Sequence, residues 1–399
     1  MRNIIHQFRF ELITIAILVV LFGRTAYPQV ESQERLVLES AERLENTTED
    51  GQVVRRLYGN VQFRQGSALL RCDLAMQYTR DLKTVFRGNV FLQDEARTLT
   101  ANELTYYEHD KTYVALGNVV FKNGPTTLFC EELIYDSRSK HAEARTLVRL
   151  YNEKERIQLT SEFAEYFRER EYARMTEHPV MVQFDSTGRE ETRILGDVME
   201  SFDGGKRIKV TGNVRIFHDE TRAQCQTAEY VADEKKVVLT DQPVAWQNSD
   251  ELRGEVIELH LQDRKIREVH VINQAIAFSE ADSNLVLDQP NVLSGQQIVF
   301  YLSDGEVERI VVEGTATSIY NMIEEGEFKG VNWVQGDRIE LMVENRTVKR
   351  VRIESKPGTS TGKFLPPGYS LSEADFAGLP GIDEILKKTR KGQKAEEVQ

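Results

Sequence analysis

Apolar and polar residues alternate along most of the chain, and this period of two predicts β-strands and not helices. The alternation is clear at Val61 and Phe63 and again at Val119 and Phe121. Short glycine-containing segments such as Gln65-Gly66 separate the alternating runs, and such segments are typical of hairpin turns. The pattern therefore predicts a chain built largely from antiparallel hairpins.

A Gly-Asn-Val tripeptide recurs along the chain and predicts a repeated architecture. It begins at Gly59, Gly88 and Gly117, which are roughly 29 residues apart, and again at Gly212. Glycine inside a strand usually marks a bulge or a bend, so we expect the strands to bend at these four glycines. We interpret four further segments as looser copies: His178-Pro179-Val180, Gln242-Pro243-Val244, Gln274-Ala275-Ile276 and Gly314-Thr315-Ala316.

A second signature follows the first in phase, and the segment from Ala101 to Tyr106 contains it in full. It consists of a small residue, a polar or acidic residue, any residue, an apolar residue, any residue, and an aromatic residue or leucine. Cys72, Cys130 and Cys225 occupy its first position, where other copies have Ala, Ser or Gly. We therefore interpret these cysteines as small buried residues and expect them to be unpaired.

The two signatures together predict an all-β fold. We expect an elongated, bent antiparallel β-jellyroll of about nine repeats, each of roughly 29 residues, with a V-shaped apolar interior. The predicted domains are a signal peptide or N-terminal anchor at residues 1–28, the repeats at residues 29–355, and a partly disordered tail at residues 356–399. The apolar run in the first segment is shorter than the roughly 20 residues that span a bilayer.

Composition excludes several classes of function. The net charge of -13 disfavours nucleic acid as a partner, and the mean hydropathy of -0.45 excludes a polytopic membrane protein. No enzymatic motif is present. The seven histidines show no metal-ligand spacing, so we interpret them as solvated turn residues and predict neither a metal site nor a cofactor. The acidic residue of the second signature recurs in nearly every repeat, which favours a structural role.

The two signatures recur between about residues 36 and 354 and resemble those of the OstA-like family, the periplasmic jellyroll proteins of lipopolysaccharide transport in Gram-negative bacteria. The resemblance implies a non-enzymatic bridge that shelters lipopolysaccharide acyl chains on their way to the outer membrane. It also implies two kinds of partner. One is lipopolysaccharide or a related glycolipid, and the other is a jellyroll transport protein joined end to end by strand pairing, with a homo-oligomer as one form. The implied location is the periplasm, with an inner-membrane anchor if residues 1–28 are retained.

The candidate lipid contacts are the large apolar residues of the predicted interior. These are Phe63, Leu104, Tyr106, Phe121, Leu133, Tyr135, Phe184, Trp246, Phe278 and Phe300. An ordinary closed core would use the same residues, so a structural or adhesive β-repeat scaffold of the cell envelope is an alternative. A β-helix polysaccharide enzyme is a weaker alternative, because the sequence lacks an isolated carboxylate cluster. We expect unpaired strand edges near residues 36–44 and 339–353.

Overall fold

The computed structural model describes residues 36–262, 265–279, 290–324, 327–344 and 347–368. The predicted signal segment at residues 1–28 and the tail beyond residue 368 lie outside the described residues. Among the described residues, no helix has the length and apolar character needed to cross a membrane. The described chain divides into an N-terminal unit that ends at Thr211 and a C-terminal unit that begins at Gly212.

The N-terminal unit is a ladder of antiparallel strands. From β3 to β10, each strand pairs antiparallel with the next strand in the chain. Its strands are β1 (Val37–Ser40), β2 (Arg43–Glu49), β3 (Gln52–Gln65), β4 (Ala68–Tyr78), β5 (Lys83–Asp94), β6 (Arg97–Tyr107), β7 (Thr112–Asn123), β8 (Thr126–Asp136), β9 (His141–Asn152), β10 (Ile157–Phe167), β11 (Tyr172–Thr176), β12 (Val180–Phe184), β13 (Glu190–Leu195) and β14 (Val198–Phe202), followed by the start of β15 (Arg207–His218).

The C-terminal unit is also antiparallel β-structure. It contains the end of β15, then β16 (Thr221–Val231), β17 (Lys236–Thr240), β18 (Val244–Gln247), β19 (Asp250–Arg253), β20 (Val256–Gln262), β21 (Lys265–Ser279), β22 (Asn291–Ser303), β23 (Glu306–Glu324), β24 (Glu327–Glu344), β25 (Thr347–Glu354) and β26 (Thr361–Leu365). The longest pairings join β21 to β22, β22 to β23 and β23 to β24. The predicted fold class, an antiparallel β-jellyroll, is confirmed.

A bulge in every second strand from β3 to β10 divides the ladder into two halves. In β3, Gly59 and Asn60 lie between the paired residues Tyr58 and Val61, whereas one residue of β4 lies opposite them. The φ angles of Gly59 and Asn60 are +74° and +44°, in the left-handed region that glycine and asparagine tolerate. The other three predicted bend residues have similar φ angles: +73° at Gly88, +75° at Gly117 and +77° at Gly212.

The predicted register of three looser copies is wrong by one residue. Thr160 pairs with Val180, so the position equivalent to Val61 is Pro179. Likewise Gln224 pairs with Val244, and Ala275 itself pairs with Gly295. The left-handed residues of these bulges are Glu177-His178, Asp241-Gln242 and Asn273-Gln274. In two of these copies proline follows the left-handed pair, a position outside the left-handed region that suits a ring with φ fixed near -65°.

The C-terminal edge also differs from the prediction. Residues 339–344 belong to β24, which pairs with β23 on one side and with β25 on the other. The segment predicted as a tail contains β26, which pairs with the first half of β24 from Val331 to Gln335. The terminal strands of this unit are therefore β25 and β26, and those of the N-terminal unit are β1 and β2, which both pair with β3.

Candidate functional site

A first row of apolar side chains crosses the N-terminal unit on one side of the bulges. Each member is paired with the next across the ladder, and all share one face. The row is Leu38, Phe63, Leu70, Leu92, Leu99, Phe121, Leu128, Leu150, Leu159 and Met181.

A second row crosses the same unit on the other side of the bulges, and every member is again apolar. It runs through Leu44, Leu57, Ala75, Phe86, Leu104, Ala115, Leu133, Ala144, Ala164, Met175, Met199 and Val210. The two apolar rows continue without interruption across many strands, so they bury far more apolar surface than the core of a single hairpin would.

The two rows face each other across an interior. The rings of Phe63 and Phe86 meet edge to face, with centroids 5.4 Å apart. Tyr113 lies two residues before Ala115 and donates a hydrogen bond from its hydroxyl to Gln65 Oε1 at 3.1 Å. Burial raises the pKa of Tyr113 above its ordinary value, which keeps this hydroxyl protonated. Beside Phe63 and Phe86 the remaining cavity is about 10 Å³, so side chains fill this part of the interior.

Both rows become exposed at the terminal strands of the N-terminal unit. Phe63 and Leu57 are buried, whereas their partners Leu38 and Leu44 are 38% and 50% exposed. The pairing places Leu38 next to Phe63 and Leu44 next to Leu57. The apolar interior thus continues to the edge of the ladder, where water contacts it.

The C-terminal unit contains a comparable row, from Ala228 through Leu239, Ile257, Val271, Ile298, Val312 and Ile339 to Ile353. Phe300 lies beside this row, paired with Val269 and Ile310. At the terminal strand β25, Val351 and Ile353 are 48% and 40% exposed. This row is therefore also exposed to solvent at the end of its ladder.

Seven of the ten candidate residues occupy the face of these rows, and three do not. Phe184 and Trp246 lie on the opposite face of their strands, because Met181 and Ala245 are the residues equivalent to Phe63. Phe278 also has the opposite orientation. It packs in a separate buried cluster with Ile276, Val292, Ile319, Val331 and Trp333. The one-residue error in register explains all three misassignments.

The polar residue of the second signature lies over the bulge of a neighbouring strand. Asp73 Oδ2 accepts a hydrogen bond from Asn89 Nδ2 at 2.8 Å. In another repeat, Glu162 Oε2 accepts a bond from the backbone N–H of Leu147 at 3.1 Å. The Glu162 oxygen satisfies a backbone donor that the bulge removes from the ladder, and Asp73 holds the side chain of the left-handed asparagine. The recurring acidic residue therefore stabilises the bend, as its repetition predicts.

The three cysteines lie beside the bulges and are unpaired and buried. Cys72 pairs with Val61, and Cys130 pairs with Val119, so each faces the valine of a Gly-Asn-Val signature. Burial raises the pKa of all three thiols to about 12. They act as small apolar residues, and nucleophilic chemistry needs the thiolate.

Several interior residues were missed by the sequence analysis, which selected mainly aromatic residues. Phe86 contacts Phe63, and Leu92, Leu99 and Leu150 belong to the first row. Their signal was the same alternation, which places Phe86 two residues before Gly88 and Leu92 four residues after it. The interpretation of every histidine as a turn residue is also wrong, because His260 and His270 lie within β20 and β21.

Comparison with known proteins agrees with the repeats. Residues 33–187 match the family model described as OstA-like protein. Residues 191–265 match the model described as LptA/(LptD N-terminal domain) LPS transport protein. The resemblance to the OstA-like family of lipopolysaccharide transport is thereby confirmed over these two segments.

No curated protein matches the chain. Among solved structures, one match is LptH of Pseudomonas aeruginosa, described as the LptA homologous periplasmic component of the lipopolysaccharide transport device. The sequences are 19% identical, and the match covers 37% of this chain and 95% of that one, with a TM-score of 0.28.

Proposed function

We propose that this chain is a periplasmic bridge component that shelters the acyl chains of lipopolysaccharide during transport to the outer membrane. The observation that carries the proposal is the pair of apolar rows in the N-terminal unit, both of which end on exposed residues at Leu38 and Leu44. A closed core would end its apolar rows beneath polar edge strands.

Sheltering acyl chains from water requires apolar surface and no catalysis. Each buried Å² of apolar surface contributes about 25 cal/mol, and neighbouring positions along a row offer nearly equal contacts to a methylene chain. Successive equal sites allow movement without one deep energy minimum. Energy for directed movement then comes from a partner.

Lipid entry requires the two rows to separate. Phe63 and Phe86 are in contact and the cavity beside them is about 10 Å³, which is too small for an acyl chain. We infer that the acyl chains displace this contact, opening the angle between the half-strands about the bulges. Left-handed glycines at the bulges place this movement where the ladder hydrogen bonds are already interrupted.

End-to-end association is the second part of the proposal. The terminal strands β1, β2 and β25 carry exposed residues of the interior rows, including Val351 and Ile353. Strand addition by another jellyroll, or by a second copy of this chain, covers these side chains and continues the apolar surface.

Mass spectrometry of the protein extracted from the cell envelope tests the proposal. We expect lipopolysaccharide to co-purify with the wild-type chain and to be lost from Phe121→Asp, which places a charge in the first row. The matched control is Phe129→Asp on the same face as Arg149, whose guanidinium lies 4.4 Å from the Phe129 ring. Equal lipid content in the wild type and in folded Phe121→Asp contradicts the proposal and favours the scaffold alternative.

A further inference from the structure

Two short segments with the same pattern face each other on the hairpin of β20 and β21. Glu258 and His260 alternate around Leu259 in β20, and Glu268 and His270 alternate around Val269 in β21. Leu259 and Val269 are buried. Alternate residues of a strand point to the same side, so the two glutamates and two histidines share the opposite, outer face.

The strand register makes these four residues neighbours. Glu258 is paired with His270, and His260 is paired with Glu268, so each histidine lies opposite a glutamate. His260 Nε2 is 2.9 Å from Glu258 Oε2, and His270 Nε2 is 2.6 Å from Glu268 Oε2. The centroids of the two imidazole rings are 4.3 Å apart.

The separation of the donor atoms suits one small cation. One potential ligand atom from each of Glu258, His260 and His270 lies within 4.8 Å of the others. Tetrahedral zinc has Zn–N and Zn–O bonds of about 2.0–2.2 Å, which places its ligand atoms about 3.3 Å apart. Modest rotations of exposed side-chain torsions close the difference, because all three residues are only half-buried.

We propose that Glu258, His260 and His270, with Glu268 as the fourth ligand, form a binding site for a divalent transition-metal ion, best matched by Zn²⁺. Imidazole nitrogens favour zinc and its neighbours over Ca²⁺ and Mg²⁺, which take oxygen ligands. The two carboxylates neutralise the charge of the ion. The site lies outside the apolar rows and cross-links the β20–β21 hairpin independently of lipid.

A nearby lysine is compatible with metal binding. Lys236 Nζ lies 3.4 Å from Glu258 Oε1 and 2.8 Å from Glu234 Oε2. When a metal ion binds Glu258, the ammonium group keeps Glu234 as its partner. No buried positive charge is left without a counter-ion.

Titration of the full-length, lipid-free protein with Zn²⁺ against a chromogenic chelator at pH 7.5 tests this site. We expect one ion per chain, with the affinity lowered about tenfold or more in His260→Gln and in His270→Gln. The control is His109→Gln, whose exposed side chain lies in the turn between β6 and β7. Affinity unchanged in both strand variants overturns the proposal, as does the absence of stoichiometric binding by the wild type.

A second measurement covers the case in which a variant folds poorly. Zn²⁺ that binds the folded chain raises the thermal midpoint of the wild type, and the rise grows with the logarithm of the Zn²⁺ concentration above Kd. We expect this shift in the wild type and in His109→Gln, and its loss in Glu268→Gln together with His270→Gln. A wild type without any shift overturns the proposal.

Discussion

The Asn89 side chain donates a hydrogen bond to the Asp73 carboxylate at 2.8 Å, and this contact joins the two recurring signatures of the sequence. Asn89 belongs to the Gly-Asn-Val of β5, and Asp73 belongs to the second signature in β4. Asn60 donates to Glu42 in the same way at 2.5 Å. The two signatures recur in phase because each bulge needs an acceptor from the neighbouring strand.

Adding a side chain at Gly88 is expected to destabilise the fold through this contact. A Cβ at Gly88 would lie 2.5 Å from Asp73 Oδ2, whereas a Cβ at Gly124 would meet nothing within 4 Å. Both glycines have positive φ angles that asparagine tolerates. We therefore expect Gly88→Asn to lose about 1–3 kcal/mol of unfolding free energy and Gly124→Asn less than about 0.5. Urea denaturation measures both, and equal losses would contradict the assigned contact.

Replacing Leu147 by asparagine is expected to stabilise the protein. Leu147 has a φ of +53° and is 65% exposed, so it combines an unfavourable backbone angle with apolar exposure. Asparagine adopts this angle more readily, and the bond from the backbone N–H to Glu162 is retained. We expect a gain of about 0.5–1 kcal/mol in urea denaturation. Leu116→Asn is the control, an exposed strand position where no gain is expected, and an equal gain there would contradict the explanation.

The cysteines should be unreactive in the folded protein. With thiol pKa values raised to about 12, the thiolate population at pH 8 is negligible. Reaction rises only as the pH approaches 12 or as the chain unfolds. We expect iodoacetamide at pH 8 to modify Cys72, Cys130 and Cys225 in urea but not in buffer, as measured by intact mass. Rapid labelling of the native chain would show that these positions are open.

The exposed residues of β25 should mediate association. We expect a Val351→Asp, Ile353→Asp variant to fold normally, because both side chains are largely outside the core, and to lose self-association in sedimentation velocity. Arg350→Asp, on the opposite face of β25 from Val351, is the control. Association unaffected by the double substitution would place the interface away from this terminal strand.

Much of the fold could be predicted from the sequence because a recurring glycine marks many of the bulges. Gly59, Gly88 and Gly117 need a left-handed φ, and glycine marks such positions directly. Where other residues adopt this angle, as at Glu177 and Asp241, the mark disappears. The residue after the left-handed pair was aligned with the asparagine of Gly-Asn-Val and not with its valine, which shifted the register by one. In a strand, a shift of one exchanges the two faces, which misplaced Phe184, Trp246 and Phe278.

Residues that become neighbours only through strand pairing could not be identified from the sequence. His260 and His270 are ten positions apart, and only the hairpin register shows that Glu258 lies opposite His270. β26 was likewise missed, because Thr361–Leu365 follows a glycine- and proline-containing segment and lacks the repeat signatures. Pairing with β24, and not local pattern, makes it a strand.

Site-specific photo-cross-linking to lipopolysaccharide in the intact envelope tests the central claim most directly. A benzophenone amino acid at Phe121 in β7 or at Leu133 in β8 lies on an interior row. At Phe129, also in β8, it lies on the outer face. If lipid passes through the apolar interior, we expect strong cross-links from Phe121 and Leu133 and none from Phe129. Cross-links of equal strength from Phe129, or none from the interior positions in a folded protein, would contradict it.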